Sequence, residues 1–469
     1  MFFTSREKFN RLAFQPVIMA AGTGSRMTDL TASIPKALLT VGNKPMIWYS
    51  IHMCQRVGFQ DVIVIVLESK RTQIEKALKI PGDISIKIDF VGIPDDEYSG
   101  TADSLRRIKN KIKSDILVIS SDLITDMKME HMIESFMAYD ADVGVLLSPL
   151  PKAFNETQAP GVKVKKQKEK DIVGLDKNER RLLFYSNEAD FEDDITLKNS
   201  FLKKCPFVKL RNDLTDCHMY FLKKWIFDFL LDKKSMSTLK GDLIPYLINK
   251  QFVKPPQLEK KDNPYSTDSM EIGSYMSDVQ KKDIFSYIPA DIMAEAKKLS
   301  LSSSRPDNYL IHDEKILCLA YIQNSGFCVR TNTIANYAEA NKQIYDHFEA
   351  LAPDLKIQRV PKAYENLKTI TKSLLGDNSS VGQNVIIAES VIGPQCQIKD
   401  DVKIKNSIIL DHTIIHKGSK IENCIICDNA FICSMCDLKS TVVGSCRKIE
   451  ESVKLKNETL VDAQEMMEI

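Results

Sequence analysis

The chain has 469 residues, with 64 lysines and arginines against 63 aspartates and glutamates and a formal net charge of +1. That balance gives no argument for a nucleic-acid or anionic-membrane surface, and no apolar run approaches the roughly 18–20 residues of a membrane-spanning helix. A hydrophobic content of 43% and a charged content of 27% fit a soluble chain of two or three domains with a sizeable core. Met1 to Pro16 lacks the apolar stretch of a signal peptide, so the eleven cysteines are expected as reduced thiols in the cytosol.

In chain order, residues 1–14 read as an N-terminal tail. Gln15 to Ala21 reads as a buried strand, Gly22-Thr-Gly-Ser-Arg26 follows, and helical patterning resumes near Pro45-Met-Ile-Trp-Tyr49. Val62–Leu67, Ile116–Ser120 and Val143–Leu147 are continuous apolar runs, the pattern of strands covered on both faces. Helical segments lie between them, at Arg71–Leu78 and Met129–Tyr139. This alternation predicts an α/β fold with a doubly wound, Rossmann-like parallel sheet. Between 253 and 308 the chain turns charged and loop-like, as in Glu259-Lys-Lys-Asp262 and Ser302-Ser-Ser-Arg-Pro306, and reads as a flexible insert. Ile316–Ile322 resumes strand character, and Ile334–Leu351 reads as a helix with Tyr337, Ile344 and Phe348 on one face. The first domain is therefore placed at 15–352, with a linker at 353–376. Trp48 and Trp225 are expected in its core.

The next stretch obeys a period of six. Val381, Ile387, Ile392, Ile398, Ile404, Leu410, Ile415, Ile421 and Cys427 recur at six with two slips to five. A second series follows four residues behind: Val385, Val391, Cys396, Val402, Ile408, Ile414, Ser419, Ile425 and Phe431. Two phased series predict a parallel β-helix at 377–462, each turn burying its inward residues against its neighbours, with a short tail at 463–469. Such rigid prisms expose flat faces suited to assembly.

A strand followed by Gly22-x-Gly24 and then Pro35-Lys36 is an arrangement for gripping phosphates. The glycines let backbone N–H groups approach a triphosphate, while Arg26 offers a forked cation and Lys36 a point charge. The longer string MAAGTGSRMTDLTASIPKALLTVGNKPMI, residues 19 to 47, resembles the nucleotidyltransferase family that makes nucleoside-diphosphate sugars from a triphosphate and a sugar phosphate. That resemblance implies that Gly100-Thr-Ala-Asp103-Ser-Leu105 contacts the base. It also implies that the strand-end Asp122 is one of two carboxylates that hold Mg²⁺.

The family's second metal carboxylate precedes a Tyr-x-Glu-Ala-Asn segment. Here Tyr337-Ala-Glu-Ala-Asn341 is present, but the preceding stretch is Arg330-Thr-Asn-Thr-Ile334. An arginine there repels a metal. The family's sugar-phosphate-binding Glu-Lys-Pro and Asn-x-Gly motifs are also missing; the comparable stretches read Val162-Lys-Val-Lys-Lys166 and Leu214-Thr-Asp-Cys-His-Met-Tyr-Phe221. Phosphoryl chemistry depends on metal charge neutralisation. No catalytic residue and no bound cofactor are therefore expected. Gly22, Gly24, Arg26, Lys36 and Asp103 are expected to line a vestigial nucleotide pocket, with Asp122 a vestigial metal ligand opposed by Arg330.

A silent nucleotidyltransferase domain followed by a hexapeptide β-helix resembles the gamma-subunit family of eukaryotic translation initiation factor 2B. Specific strings are Ser25-Arg-Met-Thr-Asp-Leu-Thr31, Val41-Gly-Asn-Lys-Pro45, Gly100-Thr-Ala-Asp-Ser-Leu-Arg106 and Asp122-Leu-Ile-Thr-Asp126. The resemblance implies a regulatory subunit that pairs with the epsilon subunit and others, in a complex that exchanges GDP for GTP on initiation factor 2. The epsilon family carries a helical acidic-aromatic catalytic domain after its β-helix; this sequence ends at Ile469, so it is not expected to catalyse exchange itself. The competing reading is an active sugar-nucleotide pyrophosphorylase of the GDP-mannose type. No membrane and no direct nucleic-acid partner are expected.

Three further signals are discounted. Cys424-x-x-Cys427 and Cys433-x-x-Cys436 have zinc-like spacing within each pair, but the gap between pairs is short and Cys427 falls on the apolar series. The basic run Lys163–Lys170 reads as a solvated loop. His131, His218, His312 and His412 lack ligand-like spacing.

Overall fold

The computed structural model describes residues 13–79, 83–95, 100–149, 159–161, 170–190, 202, 205, 207–253, 283–289, 315–355, 359–364 and 368–461. The basic run up to residue 169, His312, most of the 253–308 insert and both chain ends lie outside the described residues. Within the insert, Asp283–Pro289 is described, and Ile284 is fully buried in the main core.

The first domain runs β1 (Phe14–Met19), α1 (Met46–Val57), β2 (Asp61–Leu67), α2 (Glu68–Leu78), β3 (Lys87–Ile93), α3 (Thr101–Arg107), β4 (Asp115–Ser120), β5 (Leu123–Thr125), α4 (Met129–Tyr139) and β6 (Val143–Pro149). Then come β7 (Asp171–Leu175), β8 (Leu182–Asn187), β9 (Lys209–Arg211), β10 (Leu214–Leu222), α5 (Lys224–Asp232), β11 (Cys318–Ile322), β12 (Cys328–Arg330) and α6 (Ile334–Leu351). Seven strands make one sheet in the order β11-β6-β10-β4-β1-β2-β3. One strand departs from the expected parallel arrangement: β10 is antiparallel to both β4 and β6. The remaining pairings are parallel.

Successive strand residues point to opposite faces, and here both faces are covered. In β2, Val62, Val64 and Val66 pack with Ile47 and Ile51 of α1 and Met132 and Phe136 of α4. Ile63 and Ile65 join the opposite layer, with Trp225, Phe229 and Leu230 of α5. Full burial of each such side chain contributes about 1.5–3 kcal/mol. Helix α1 stops because Gly58 takes φ +96°, a left-handed cap that returns its N–H to the Cys54 and Gln55 carbonyls. Helix α6 starts at Thr333, whose hydroxyl accepts from the Asn336 N–H.

From Ile370 the chain coils into three parallel ladders of six, six and five strands. Strand pairing thus begins inside the stretch expected as linker. Partners lie 17 residues apart: Ile387 faces Ile404, Ile392 faces Ile409, and Ile398 faces Ile415. Steps from Ile387 to Ile392, Ile398 and Ile404 are five, six and six, so every rung has one short side. This corrects two positions of the first predicted series and leaves Ile404, Ile415 and Ile421 inward as expected. The inward residues are Ile409 and Ile426, fully buried in the coil core, not Leu410 and Cys427. Nor are Val391, Ile408 and Ile425 inward; they form a side that faces the first domain. Ile414 and Phe431 are only half-buried.

The companion positions lie two residues before the inward series; Val385, Cys396, Val402 and Ser419 of the second predicted series occupy them and are buried, and on the side facing the first domain they are Ser390, Ser407 and Cys424. Ser390, Ser407 and Cys424 are stacked one rung apart, each hydroxyl or thiol accepting the next rung's backbone N–H: Ser407 N–H to Ser390, Cys424 N–H to Ser407 and Thr441 N–H to Cys424. Buried polar atoms are thereby satisfied inside an apolar prism.

The two domains share one core. Tyr337, Ala340, Ile344 and Phe348 of α6, with Met27, Leu30, Trp48 and Tyr49, pack on Val391, Ile408, Leu410, Ile425, Cys427 and Val442 of the coil. Polar ties flank this seam: Asn43 Nδ2 donates to the Ile392 carbonyl at 2.9 Å, and Ser33 Oγ lies 2.9 Å from Ser445 Oγ.

Candidate functional site

The site lies beyond the C-terminal end of β4, where sheets of this class hold their ligands. Asp122 follows that strand by two residues. It is brought to Arg330 by the antiparallel pairing of β5 with β12, in which Leu123 faces Arg330. Thr331 N–H donates to the Asp122 carbonyl at 2.9 Å, fixing the register. Tyr337 and Asn341 hold α6 behind this strand. Tyr337 OH donates to the Thr40 carbonyl at 2.8 Å, and Asn341 Oδ1 accepts the Gly42 N–H at 3.0 Å.

Asp122 is 2% exposed, and its carboxylate is surrounded by donors. Arg330 forks onto it, Nε to Oδ1 and Nη2 to Oδ2, both at 3.0 Å. Lys36 Nζ donates to Oδ2, and Ser120 Oγ donates to Oδ1 at 2.7 Å. Burial pushes the carboxyl up, but the Arg330 guanidinium and then the Lys36 ammonium outweigh it and hold it well below the usual carboxylate range. An ionised carboxylate bound by two cations is the result. The oxygens a metal would need are already taken, and a guanidinium stands in the metal's place. These residues do not fit a Mg²⁺ ion. Among the described residues no group of three or more His, Cys, Asp or Glu side chains could hold a metal.

The other expected pocket residues have separate surroundings. Gly22, Gly24 and Arg26 lie on the loop after β1, where Gly22 and Arg26 are exposed. Gly24 has φ +77°, and a Cβ there would meet Thr31 Cγ2 at 2.9 Å, so the tight turn requires glycine. Lys36 leaves the loop and pairs with Asp122. Asp103 is engaged with its own helix: it accepts the Gly100 N–H at 3.2 Å and binds Arg106 Nη1 at 2.5 Å. The Gly-Thr-Ala segment is met by the chain itself, with Ala102 N–H on the Ser237 carbonyl and Leu239 N–H on Thr101 Oγ1.

Sequence reasoning missed the neighbouring polar cluster on β10. Asp216, 1% exposed, accepts Tyr185 OH at 3.0 Å, Tyr220 OH at 2.7 Å and the His218 N–H at 2.6 Å. The pairing of β10 with β6 slips between Asp216 and Tyr220, and His218 takes φ +51° in this bulge. Burial, then the Arg330 guanidinium, lower the His218 imidazole well below its ordinary range. The signal was present as an Asp and a His within an otherwise apolar strand. The four spaced cysteines do not converge: Cys424 and Cys436 point into the coil core, while Cys427 sits in the seam between domains.

Comparison with known proteins follows the same two-part division. Residues 15–172 match the family model for nucleotidyl transferase, and residues 363–455 match that for the eIF2B subunit epsilon LbH domain, a left-handed β-helix. Translation initiation factor eIF2B subunit gamma of Schizosaccharomyces pombe is 29% identical over 337 residues, covering 71% of this chain and 66% of that protein. The Caenorhabditis elegans protein of the same name is 30% identical over 241 residues, covering 51% of this chain and 58% of that protein. The Dictyostelium discoideum one is 26% identical over 351 residues, covering 71% and 74%. This chain resembles eIF2B subunit gamma. The match to that gamma family spans about two-thirds or less of the first two relatives' length. The coil is shared with the epsilon type, whose name its family model carries. Mannose-1-phosphate guanyltransferases also align, over shorter stretches such as 126 residues, or 26% of this chain, for the Kluyveromyces lactis protein. Among the described residues no helix is long and apolar enough to cross a membrane.

Proposed function

We propose that this chain is a non-catalytic, gamma-type subunit of the initiation factor 2B complex, which exchanges GDP for GTP on initiation factor 2. In this reading it pairs with the epsilon subunit, joins the other subunits in the cytosol and helps hold the substrate G protein. The glycine loop, Arg26, Lys36 and Asp103 are then remnants of a nucleotide pocket whose chemistry is gone.

The observation that carries the reading is the fork of Arg330 on Asp122. Transfer of a nucleotidyl group needs a metal to neutralise charge on the reacting phosphates. A buried carboxylate bound by a guanidinium and an ammonium supplies no such metal site. The relatives that align over the longer stretches, each a translation initiation factor eIF2B subunit gamma, support the same reading.

Two experiments test it. The purified chain incubated with GTP, Mg²⁺ and mannose 1-phosphate should release no pyrophosphate; steady turnover would establish the pyrophosphorylase reading instead. Affinity purification of the tagged chain should recover initiation factor 2 and the other exchange-factor subunits, and their absence would defeat the proposal.

A further inference from the structure

We infer that one side of the β-helix is a docking surface for an acidic polypeptide segment. The side is built from the strands Lys403–Lys405, Lys420–Glu422, Asp437–Lys439 and Lys454–Lys456. In each, the central residue points inward and the outer two are exposed, save Asp437, which is half-buried. The 17-residue repeat aligns those outer residues into two columns. One reads Ile386, Lys403, Lys420, Asp437, Lys454; the other reads Ala388, Lys405, Glu422, Lys439, Lys456. Six lysines against one aspartate and one glutamate give a net +4 on four adjacent strands. With strands about 4.8 Å apart and i, i+2 side chains about 6.8 Å apart, that charge occupies a patch about 15 Å by 7 Å.

Pairing within the sheet does not use up this charge: Glu422 lies between Lys405 and Lys439 and Asp437 between Lys420 and Lys454, but Lys403 stands opposite Lys420 and Lys439 opposite Lys456, and like charges so placed oppose the ladder. Among the described residues none of the six lysines forms an ion pair, and all six are exposed. The other two sides are different. One is covered by the first domain. The third presents Ser380, Gln397, Ile414, Phe431 and Lys448 outward, with Lys399 and Glu450 two residues further along, so two lysines are offset by one glutamate. The basic charge is therefore concentrated on the one side, and it is hidden in a chain of net charge +1.

The chemistry favours carboxylates of a protein over a nucleic acid. The columns contain no aromatic residue on which a base could stack and no arginine to fork a phosphate. Each column also carries a carboxylate, which would oppose a phosphate backbone but can meet a basic residue of a peptide. Ile386, 43% exposed, continues the first column and gives the segment an apolar contact at one end. The columns run along the prism axis, so the segment lies along that axis.

The test uses the full chain and a fluorescent poly-glutamate peptide, with anisotropy read at low and physiological ionic strength. Binding is expected at low salt and should weaken as salt rises. Joint reversal of Lys403, Lys405, Lys439 and Lys454 to Glu should weaken it by roughly tenfold or more. The same reversal at Lys76, Lys79, Lys87 and Lys109, exposed on the first domain, should leave it unchanged. A set with Lys→Gln at the four coil positions guards against misfolding, since it places no new carboxylates beside Glu422 and Asp437, and should also lose binding. Failure of the peptide to bind, equal loss in the control reversal, or tighter binding of a single-stranded oligonucleotide would each overturn the inference. None of these results bears on the exchange-factor reading.

Discussion

Replacing Arg330 with methionine removes the guanidinium while keeping an unbranched apolar stem, and it isolates the energetics of the buried cluster. Two charge-assisted hydrogen bonds to a carboxylate that is 2% exposed disappear. Breaking a buried pair by removing one partner costs about 3–5 kcal/mol, because the other charge stays buried. Lys36 and Ser120 still hold Asp122, so about 3 kcal/mol, the lower end of that range, is expected. The loss should depend on pH. The folded pKa of Asp122 is depressed, so its contribution is present above the unfolded value of about 3.9 and is lost as pH falls through the folded value. Arg330→Met weakens that depression, so the gap between wild type and variant is widest near neutrality and narrows as pH falls through about 4. Urea unfolding followed by tryptophan fluorescence across that range measures it. A companion double variant, Asp122→Asn with Arg330→Met, removes both charges and should lose less than the single variant. A loss below about 1 kcal/mol at neutral pH, or one that does not change with pH, would refute the reasoning.

Arg330→Asp should create a pair of carboxylates and with it a Mg²⁺ response: addition of the metal should raise the variant's melting temperature and leave the wild type unmoved, as differential scanning fluorimetry would record. Gly24→Ala should cost about 1–2 kcal/mol, since its φ is +77° and Thr31 stands in the way, whereas Gly22→Ala, with nothing within 4 Å of an added Cβ, should cost under about 0.5 kcal/mol; urea midpoints distinguish the two. Phe348→Ala empties the seam between the domains and should cost about 3–5 kcal/mol, with faster limited proteolysis as a second sign. Ser407→Ala leaves the Cys424 N–H buried without its acceptor and should lower stability by about 1–3 kcal/mol in the same denaturation assay.

Much of the fold was legible because its signals are local. Continuous apolar runs marked β2, β4 and β6, and a helical stripe marked α6. The antiparallel direction of β10 was not legible, because strand direction depends on a connection more than sixty residues long, between β6 and β10. In the coil, the period of six was plain. The placement of its slips was not, because at each one two neighbouring apolar residues, Ile409 and Leu410 or Ile426 and Cys427, compete for the inward position. Burial on the seam side makes both look like core. At the site, the opposition of Asp122 and Arg330 followed from motif comparison. The capture of Lys36 by Asp122 did not, since it depends on tertiary distance. The engagement of Asp103 with Gly100 and Arg106 was not legible either, because a helix N-terminal carboxylate serves a cap as readily as a ligand.

The 17-residue rung makes this protein tolerant of altered chemistry and intolerant of altered length. A substitution on a coil face changes one side chain. Deletion of one residue within a side would rotate every later position by one, turning isoleucines outward and lysines toward the axis until a compensating change restored phase. Divergence in the coil is therefore confined to replacements, to insertions that bulge from a corner, and to gain or loss of whole rungs. Its columns of surface charge stay in vertical alignment however far their individual residues drift.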